Sequence, residues 1–134
     1  MEKRTFQPVE LFSGQAVDGW SRTFNAGDYL WLQIAVSTSG SADGDILVAG
    51  SHLDADSVDF TSAAAVGNEW GYIALFNEAS PDTTIAGATG AQYTGTDGVR
   101  YLYVNTSSRK TLAVQLANYV AGAFHVTVTG ASNQ

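Results

Sequence analysis

The chain has 134 residues, 45% of them apolar, no cysteine and a formal net charge of −7. This composition predicts one soluble domain with a hydrophobic core, and it excludes disulfides and thiolate chemistry. No Lys or Arg lies between Thr23 and Val99, where ten acidic residues lie, so the sequence has no basic stripe for nucleic acid or an anionic membrane.

The N-terminal segment MEKRTFQPVE is charged and has no apolar run, so we expect neither a secretory signal nor a membrane span there. We predict an extended arm over residues 1–8 that adds a strand to a partner sheet, with Pro8 restricting it to an edge. Lys3, Arg4 and Phe6 are its candidate partner-binding residues. The alternative is a frayed terminus.

Period-two alternation of apolar and polar residues predicts β-strands along most of the chain. The strongest patterns are DYLWLQIAVS (28–37), TLAVQLAN (111–118) and AFHVTVT (123–129). Weaker strands are predicted over residues 5–12, 17–24, 45–53, 69–77, 84–93 and 99–105. Asp-Gly pairs at 18–19, 43–44 and 97–98 predict tight turns, because these residues tolerate positive φ.

The same alternation assigns faces to the strongest strands. The residues that we expect to share core-facing sides are Leu30, Leu32, Ile34 and Val36; Leu112, Val114 and Leu116; and Phe124, Val126 and Val128. NTSSRK (105–110) is predicted to be a hairpin loop joining two strands. SVDFTSAAAVG (57–67) breaks the pattern and is predicted to be a long loop or one short helix.

About eight strands without a long helix predict an all-β fold, an antiparallel two-sheet β-sandwich that is jelly-roll-like. An immunoglobulin-type sandwich is the second choice, because its cysteine framework is missing. We expect residues 1–134 to form a single domain, with a frayed tail over 130–134.

The stretch SHLDADSVDF (51–60) concentrates one histidine and three aspartates. In an extended strand His52, Asp54 and Asp56 share one face, but neighbours on that face lie about 7 Å apart, which is long for a shared ion. A solvated acidic edge is the preferred interpretation, and we predict no metal and no cofactor. The weak metal candidates are Asp43, Asp45, His52, Asp54 and Asp56.

The sequence offers no acid, base and nucleophile set for catalysis. It has no G-x-S-x-G elbow, and its two histidines are His52 and His125. Glu69 and Glu78 would lie at opposite ends of one strand, too far apart for glycoside hydrolysis. We therefore expect a protein that is not an enzyme.

Two aromatic-rich strands suggest a covered surface. WGYIALF and VRYLYV are apolar or aromatic on both faces, whereas a sandwich strand normally has one polar face. A partner subunit or a host surface would cover the second face, which makes Tyr101 and Tyr103 candidate partner-binding residues. Arg109 and Lys110 form a second basic tip and are candidates of the same kind.

A cysteine-free, Lys-poor, acidic chain of short strands and Gly/Ser/Thr/Asp-rich turns, with the basic start MEKRTFQPVE, resembles the small jelly-roll head-decoration (cement) proteins of tailed bacteriophages. The resemblance covers most of the chain but is one of general character, so it transfers no site residue.

The resemblance implies a structural protein of the virion. Such proteins are made in the host cytoplasm and bind the outer surface of the assembled head, as dimers or trimers, where they bridge copies of the major capsid protein and perform no chemistry. The alternative is a carbohydrate-binding β-sandwich module, part of a phage fibre or lectin-like, that uses exposed Trp or Tyr and Ca²⁺ near the acidic residues.

Overall fold

A computed structural model of the chain describes residues 3–5, 8–26 and 29–133. Within these ranges the secondary structure is almost entirely β, and the single helical element is a 3-10 turn at Ala55–Ser57. The strands are β1 (Lys3–Thr5), β2 (Val9–Gln15), β3 (Gly19–Trp20), β4 (Phe24–Asn25), β5 (Trp31–Ser51), β6 (Gly71–Tyr72), β7 (Leu75–Asn77), β8 (Ser80–Ile85), β9 (Ala91–Thr94), β10 (Gly98–Asn105) and β11 (Thr111–Asn133). No helix in these ranges has the length and apolarity needed to cross a bilayer.

Hydrogen bonds join these eleven strands into one antiparallel sheet. Its main path runs β1-β11-β5-β10-β7-β8. The prediction of an all-β antiparallel fold is therefore confirmed. The prediction of two separate sheets with about eight strands is wrong, because β5 and β11 are each long enough to run through the whole molecule.

The two long strands pair from Thr111 opposite Ser51 to Ala131 opposite Trp31, and both bend midway. Gly40 and Ser41 of β5 have φ of 72° and 57°, and Gly122 of β11 has φ of 83°. Because the bends lie side by side, pairing resumes on both sides of them. The sequence predicts separate strands here, with a turn at Asp43-Gly44, but these two residues lie within the β5 ladder.

The bend gives β5 two arms, residues 31–39 and 43–51, which pair with different strands. The first arm pairs with β10, whereas the second pairs with β9 and β6. The arms face each other across the core, where the Tyr93 and Phe124 rings lie edge to face with centroids 5.4 Å apart. The single bent sheet thus encloses its own core, which explains why the sequence has the alternation of a sandwich.

The core confirms most of the predicted faces. The fully buried residues include Leu32, Ile34 and Val36; Leu112, Val114 and Leu116; and Phe124, Val126 and Val128. Leu30 is the exception, since it precedes β5 and is 55% exposed. Because these three runs belong to two neighbouring strands, their inward faces form one continuous apolar layer.

The Asp97 carboxylate holds the bend of β5 from outside. It accepts hydrogen bonds from the backbone N–H groups of Ala42, at 2.9 Å, and Ser41, at 2.8 Å. These two bonds lower the pKa of the Asp97 carboxyl, with the Ala42 bond the larger cause. The predicted Asp97-Gly98 turn therefore also satisfies backbone donors that the bend removes from the ladder.

Residues 105–110 do not form the predicted hairpin loop. Asn105 pairs with Trp31 and Thr111 pairs with Ser51, at opposite ends of β5, so the segment crosses from one arm to the other. The buried Thr106 anchors the crossing, because its N–H donates to the Leu30 carbonyl at 2.8 Å. The flanking strands β10 and β11 both pair with β5 rather than with each other. The local sequence does not specify this choice of partner.

The segment over residues 57–67, predicted to be a long loop or one short helix, is a loop. It extends beyond the predicted bounds to residues 52–70, and the 3-10 turn at Ala55–Ser57 lies inside it. The loop places Val58 and Phe60 against Ala49 and Ala113 on the outer side of the second arm. Asp59 organises its turn, and hydrogen bonds from the Thr61 side chain and backbone and from Ser62 lower the pKa of its carboxyl.

At the termini, the backbone of Lys3–Thr5 pairs with residues 131–133 of β11. Part of the predicted N-terminal arm is thus an edge strand of the chain's own sheet, and Phe6 lies outside the described residues. Residues 130–133, predicted to be a frayed tail, continue β11, where Gly130 and Ala131 pair with Leu32 and Trp31.

Candidate partner-binding face

One side of the sheet carries aromatic and uncharged residues on three adjacent strands. The register places Tyr103 opposite Gln33, Tyr101 opposite Ala35 and Tyr103 also opposite Phe76, so these side chains share the face turned away from the core. We call this surface the uncharged face, defined by Trp31, Gln33, Ala35, Phe76, Val99, Tyr101 and Tyr103.

Contacts between neighbouring strands hold the uncharged face in place. The Trp31 and Phe76 rings lie 5.8 Å apart at an interplanar angle of 62°, an edge-to-face arrangement. The Gln33 side-chain amide donates a hydrogen bond of 3.0 Å to the Tyr103 hydroxyl. A ring contact thus joins β5 to β7 and a hydrogen bond joins β5 to β10, so the side chains of this face support one another.

The uncharged face remains open to solvent at its larger side chains. Val99 is 60% exposed, Trp31 41% and Tyr101 40%. On β11 the surface continues through Thr127 and Thr129, and beyond them a charged residue stands at Glu10 of β2, opposite Thr127. In a chain of net charge −7, this apolar and aromatic patch with a polar border has the anatomy of a protein interface.

The structure brings together Tyr101 and Tyr103, two of the predicted partner-binding residues, on this face. The inward neighbours Leu102 and Val104 are fully buried, so the VRYLYV strand is apolar on both sides, as its sequence indicates. Sequence reasoning missed Trp31 and Phe76 as their companions. Alternation gives the face of Trp31, but the position of Phe76 depends on the pairing of β7 with β10.

The predicted basic residues lie elsewhere. Arg109 and Lys110 belong to the crossing segment, and Lys110 forms an ion pair with Asp54. A hydrogen bond and the charge of Asp54 raise the pKa of the Lys110 ammonium. The backbone of Lys3 and Arg4 lies in β1, while Phe6 stands outside the described residues.

The weak metal candidates do not form one site. Asp43 and Asp45 lie within β5, where Asp45 accepts a hydrogen bond from Asn118, and Asp54 pairs with Lys110. The extended geometry that would put His52, Asp54 and Asp56 on one face does not occur, because β5 ends at Ser51 and the 3-10 turn at Ala55–Ser57 follows. Throughout the described ranges, no three His, Asp or Glu side chains are grouped to hold a metal ion.

A second aromatic group lies on the outer side of the second arm. Trp20, Phe60, Trp70 and Tyr72 form a cluster whose ring centroids lie 5.3–6.3 Å apart. The Trp70 indole N–H donates to the Ser62 carbonyl, and the Tyr72 hydroxyl donates to the Gln115 side chain. The sequence shows these residues only as separate aromatics, because three distant segments supply them.

Comparison with known proteins identifies the fold but no family. No protein-family model matches the chain, and no curated protein sequence matches it significantly. Among solved structures, the chain is similar to the SPBc2 prophage-derived protein YomS, with a TM-score of 0.68 and 12% sequence identity. The match covers 98% of this chain and 96% of that one, so the two proteins share their fold over nearly their whole length.

Proposed function

We propose that this chain is a head-decoration, or cement, protein of a tailed bacteriophage. In this proposal it binds the outer surface of the assembled head and bridges copies of the major capsid protein, as a homo-oligomer of two or three chains. It is a non-enzymatic component of the virion, made in the host cytoplasm, and needs no cofactor.

The observation that carries the proposal is the uncharged face. Trp31, Tyr101 and Val99 remain exposed on an ordered sheet, although the chain as a whole is acidic. Tyr and Trp with a polar border are typical of a surface that a protein partner covers. The shared fold with a prophage-derived protein supports a phage setting, and the resemblance in composition supports a decoration protein in particular.

The mechanism proposed here is mass action. A protein that binds only the assembled head stabilises the assembled state by its binding free energy. An oligomer with several copies of the uncharged face would contact several capsid subunits at once, so modest contacts combine through avidity. The acidic residues elsewhere on the surface would keep neighbouring copies soluble until they dock.

The experiment is a density-gradient separation of lysate from the native source, with mass spectrometry to locate the chain. The proposal expects the chain to migrate with particles of capsid size, in a fixed ratio to a much larger capsid subunit. Migration at the top of the gradient, as a monomer or small oligomer while intact heads sediment without it, would overturn the proposal.

A further inference from the structure

A groove lies on a different part of the molecule, between the end of β5, the start of β6 and the crossing segment. It has a volume of about 410 Å³ and is lined by Trp70, Glu69, His52, Arg109, Ser107 and Ser108, among others. We call it the Trp70 groove. It is open to solvent along one side, and it shares no residue with the uncharged face.

The aromatic wall of the groove is fixed by packing. The Trp70 ring meets the Trp20 and Tyr72 rings edge to face, at centroid distances of 5.5 and 5.3 Å. Its N–H is held by the Ser62 carbonyl at 2.9 Å. The Ser51 hydroxyl donates to the Glu69 carbonyl, which fixes the backbone just before the indole. A ligand would therefore meet an indole already in position.

The groove contains one acidic and one strongly basic side chain, Glu69 and Arg109. Backbone N–H groups of Gly67 and Glu69 hydrogen bond to the Glu69 carboxylate and lower its pKa, so this exposed group is an ionised acceptor at neutral pH. The stem of Arg109 lies over Gly50, where an added Cβ would be 2.8 Å from its Cδ. Among the described residues the Arg109 guanidinium has neither an ion pair nor a hydrogen bond, so its donors are available.

We propose that the Trp70 groove binds a neutral pyranose unit of a glycan. The flat C–H face of a sugar ring packs on an indole, while a carboxylate accepts from and a guanidinium donates to its hydroxyls. Glu69, Arg109 and His52 line the groove together, so it offers both an acceptor and donors, which suits a neutral ligand that carries several hydroxyls. Ser107 and Ser108 of the crossing segment also line the groove, and the Ser107 hydroxyl donates to the Asn105 side-chain oxygen.

The test is saturation-transfer NMR of the full chain with methyl pyranosides of glucose, galactose, mannose and N-acetylglucosamine, with methyl glucuronide as the charged comparison. We expect at least one neutral glycoside to bind the wild type. Arg109→Gln and Glu69→Gln should each weaken that binding about tenfold or more, through loss of a charged hydrogen bond.

The matched control is Lys110→Gln, which removes the neighbouring positive charge, outside the groove lining, and should leave binding unchanged. Thermal melting of each variant verifies that it is folded. The inference is overturned if no neutral glycoside binds, if only the glucuronide binds, or if both groove variants bind as the wild type does. None of these outcomes bears on capsid binding, because the gradient experiment depends on the other face.

Discussion

At the residue scale, Gly122 determines whether the bent sheet closes. Its φ of 83° is in the left-handed region, and an added Cβ would lie 2.5 Å from the Ala42 Cα and 2.6 Å from the Ser39 carbonyl oxygen. Both neighbours are backbone of the paired strand, which cannot move without breaking the ladder. A side chain at this position therefore adds a steric clash to the conformational strain.

We predict that Gly122→Ala lowers the free energy of unfolding by about 3 kcal/mol, combining strain and overpacking. The control is Gly67→Ala, at φ 89° with nothing within 4 Å of an added Cβ, which should cost about 1 kcal/mol from strain alone. Urea unfolding monitored by circular dichroism measures both. Equal losses in the two variants would contradict the close approach of the two bends.

Because of Tyr93, we expect the free energy of unfolding to fall at alkaline pH. Its side chain is only 7% exposed, and burial raises the pKa of its hydroxyl to about 12, partly offset by the Arg100 guanidinium 5.1 Å from the ring centroid. The Arg100 side chain favours the ionised form only weakly, and within the described residues no hydrogen bond of ordinary geometry reaches this hydroxyl. The neutral phenol is therefore favoured in the folded state, where ionisation is suppressed.

Because the folded-state pKa of Tyr93 is raised from about 10, its contribution to stability is complete below pH 10 and is lost as the pH rises towards 12. We predict that the wild type loses about 2–3 kcal/mol more than Tyr93→Phe across this interval. Urea unfolding of both proteins at several pH values between 9 and 12, about the titration range of tyrosine, gives the difference. Parallel pH profiles would refute the prediction.

At the element scale, the loop over residues 52–70 acts as a second packing layer. Its anchor is Phe60, which is 4% exposed and contacts Trp20 and Trp70 at 5.8 and 5.7 Å between ring centroids. The loop covers Ala49 of the second arm and its partner Ala113 on β11, which are small outward residues. The outer face of the paired second arm and β11 is therefore apolar and covered by the aromatic cluster, whereas an uncovered strand pair would have polar residues there.

We predict that Phe60→Ala destabilises the protein by about 3 kcal/mol, because it removes a buried ring that its neighbours cannot replace. Val66→Ala, at a 99% exposed position of the same loop, should change stability by less than about 0.5 kcal/mol. The measurement is the unfolding midpoint in urea, with tryptophan fluorescence as the probe. A Phe60 variant as stable as the Val66 variant would mean that the loop does not pack as described.

The elements also show how far sequence reasoning reaches. The buried faces of Leu32, Ile34 and Val36 follow from period-two alternation, which is a local property. The continuity of β5 through Asp43-Gly44 was not predictable in this way, since a turn signal does not distinguish a bend from a reversal. The neighbouring strands β9 and β11, both distant in sequence, pair with the chain there and keep it extended.

The candidate sites, too, were predictable only where neighbouring residues along the sequence form them. Tyr101 and Tyr103 could be selected from one apolar strand, but their neighbour Phe76 depends on strand order. The acidic stretch looked like a candidate site because its residues are close in sequence. In the fold β5 ends at Ser51 and Asp54 forms an ion pair with Lys110, and among the described residues no three such side chains are grouped to hold a metal ion. The Trp70 groove has no sequence signal, because three segments converge on it.

At the scale of the whole molecule, the proposed function assigns attachment to the head to one surface, the uncharged face. The bent sheet encloses its core and leaves the outer side of the first arm, the uncharged face, exposed. An acidic residue placed there would be buried without a partner on docking, and this costs binding free energy. The same substitution on an exposed loop has no such consequence, so the two can be compared directly.

The most direct measurement is therefore the add-back of purified protein to heads from the native source that lack it, followed by sedimentation. We predict that Tyr101→Glu, on the uncharged face, binds the heads at least about tenfold more weakly than the wild type. Val66→Glu, with the same charge change at a 99% exposed loop position, should bind as the wild type does. Equal binding of both variants, or no binding of the wild type, would contradict the proposal that the uncharged face attaches this protein to the head.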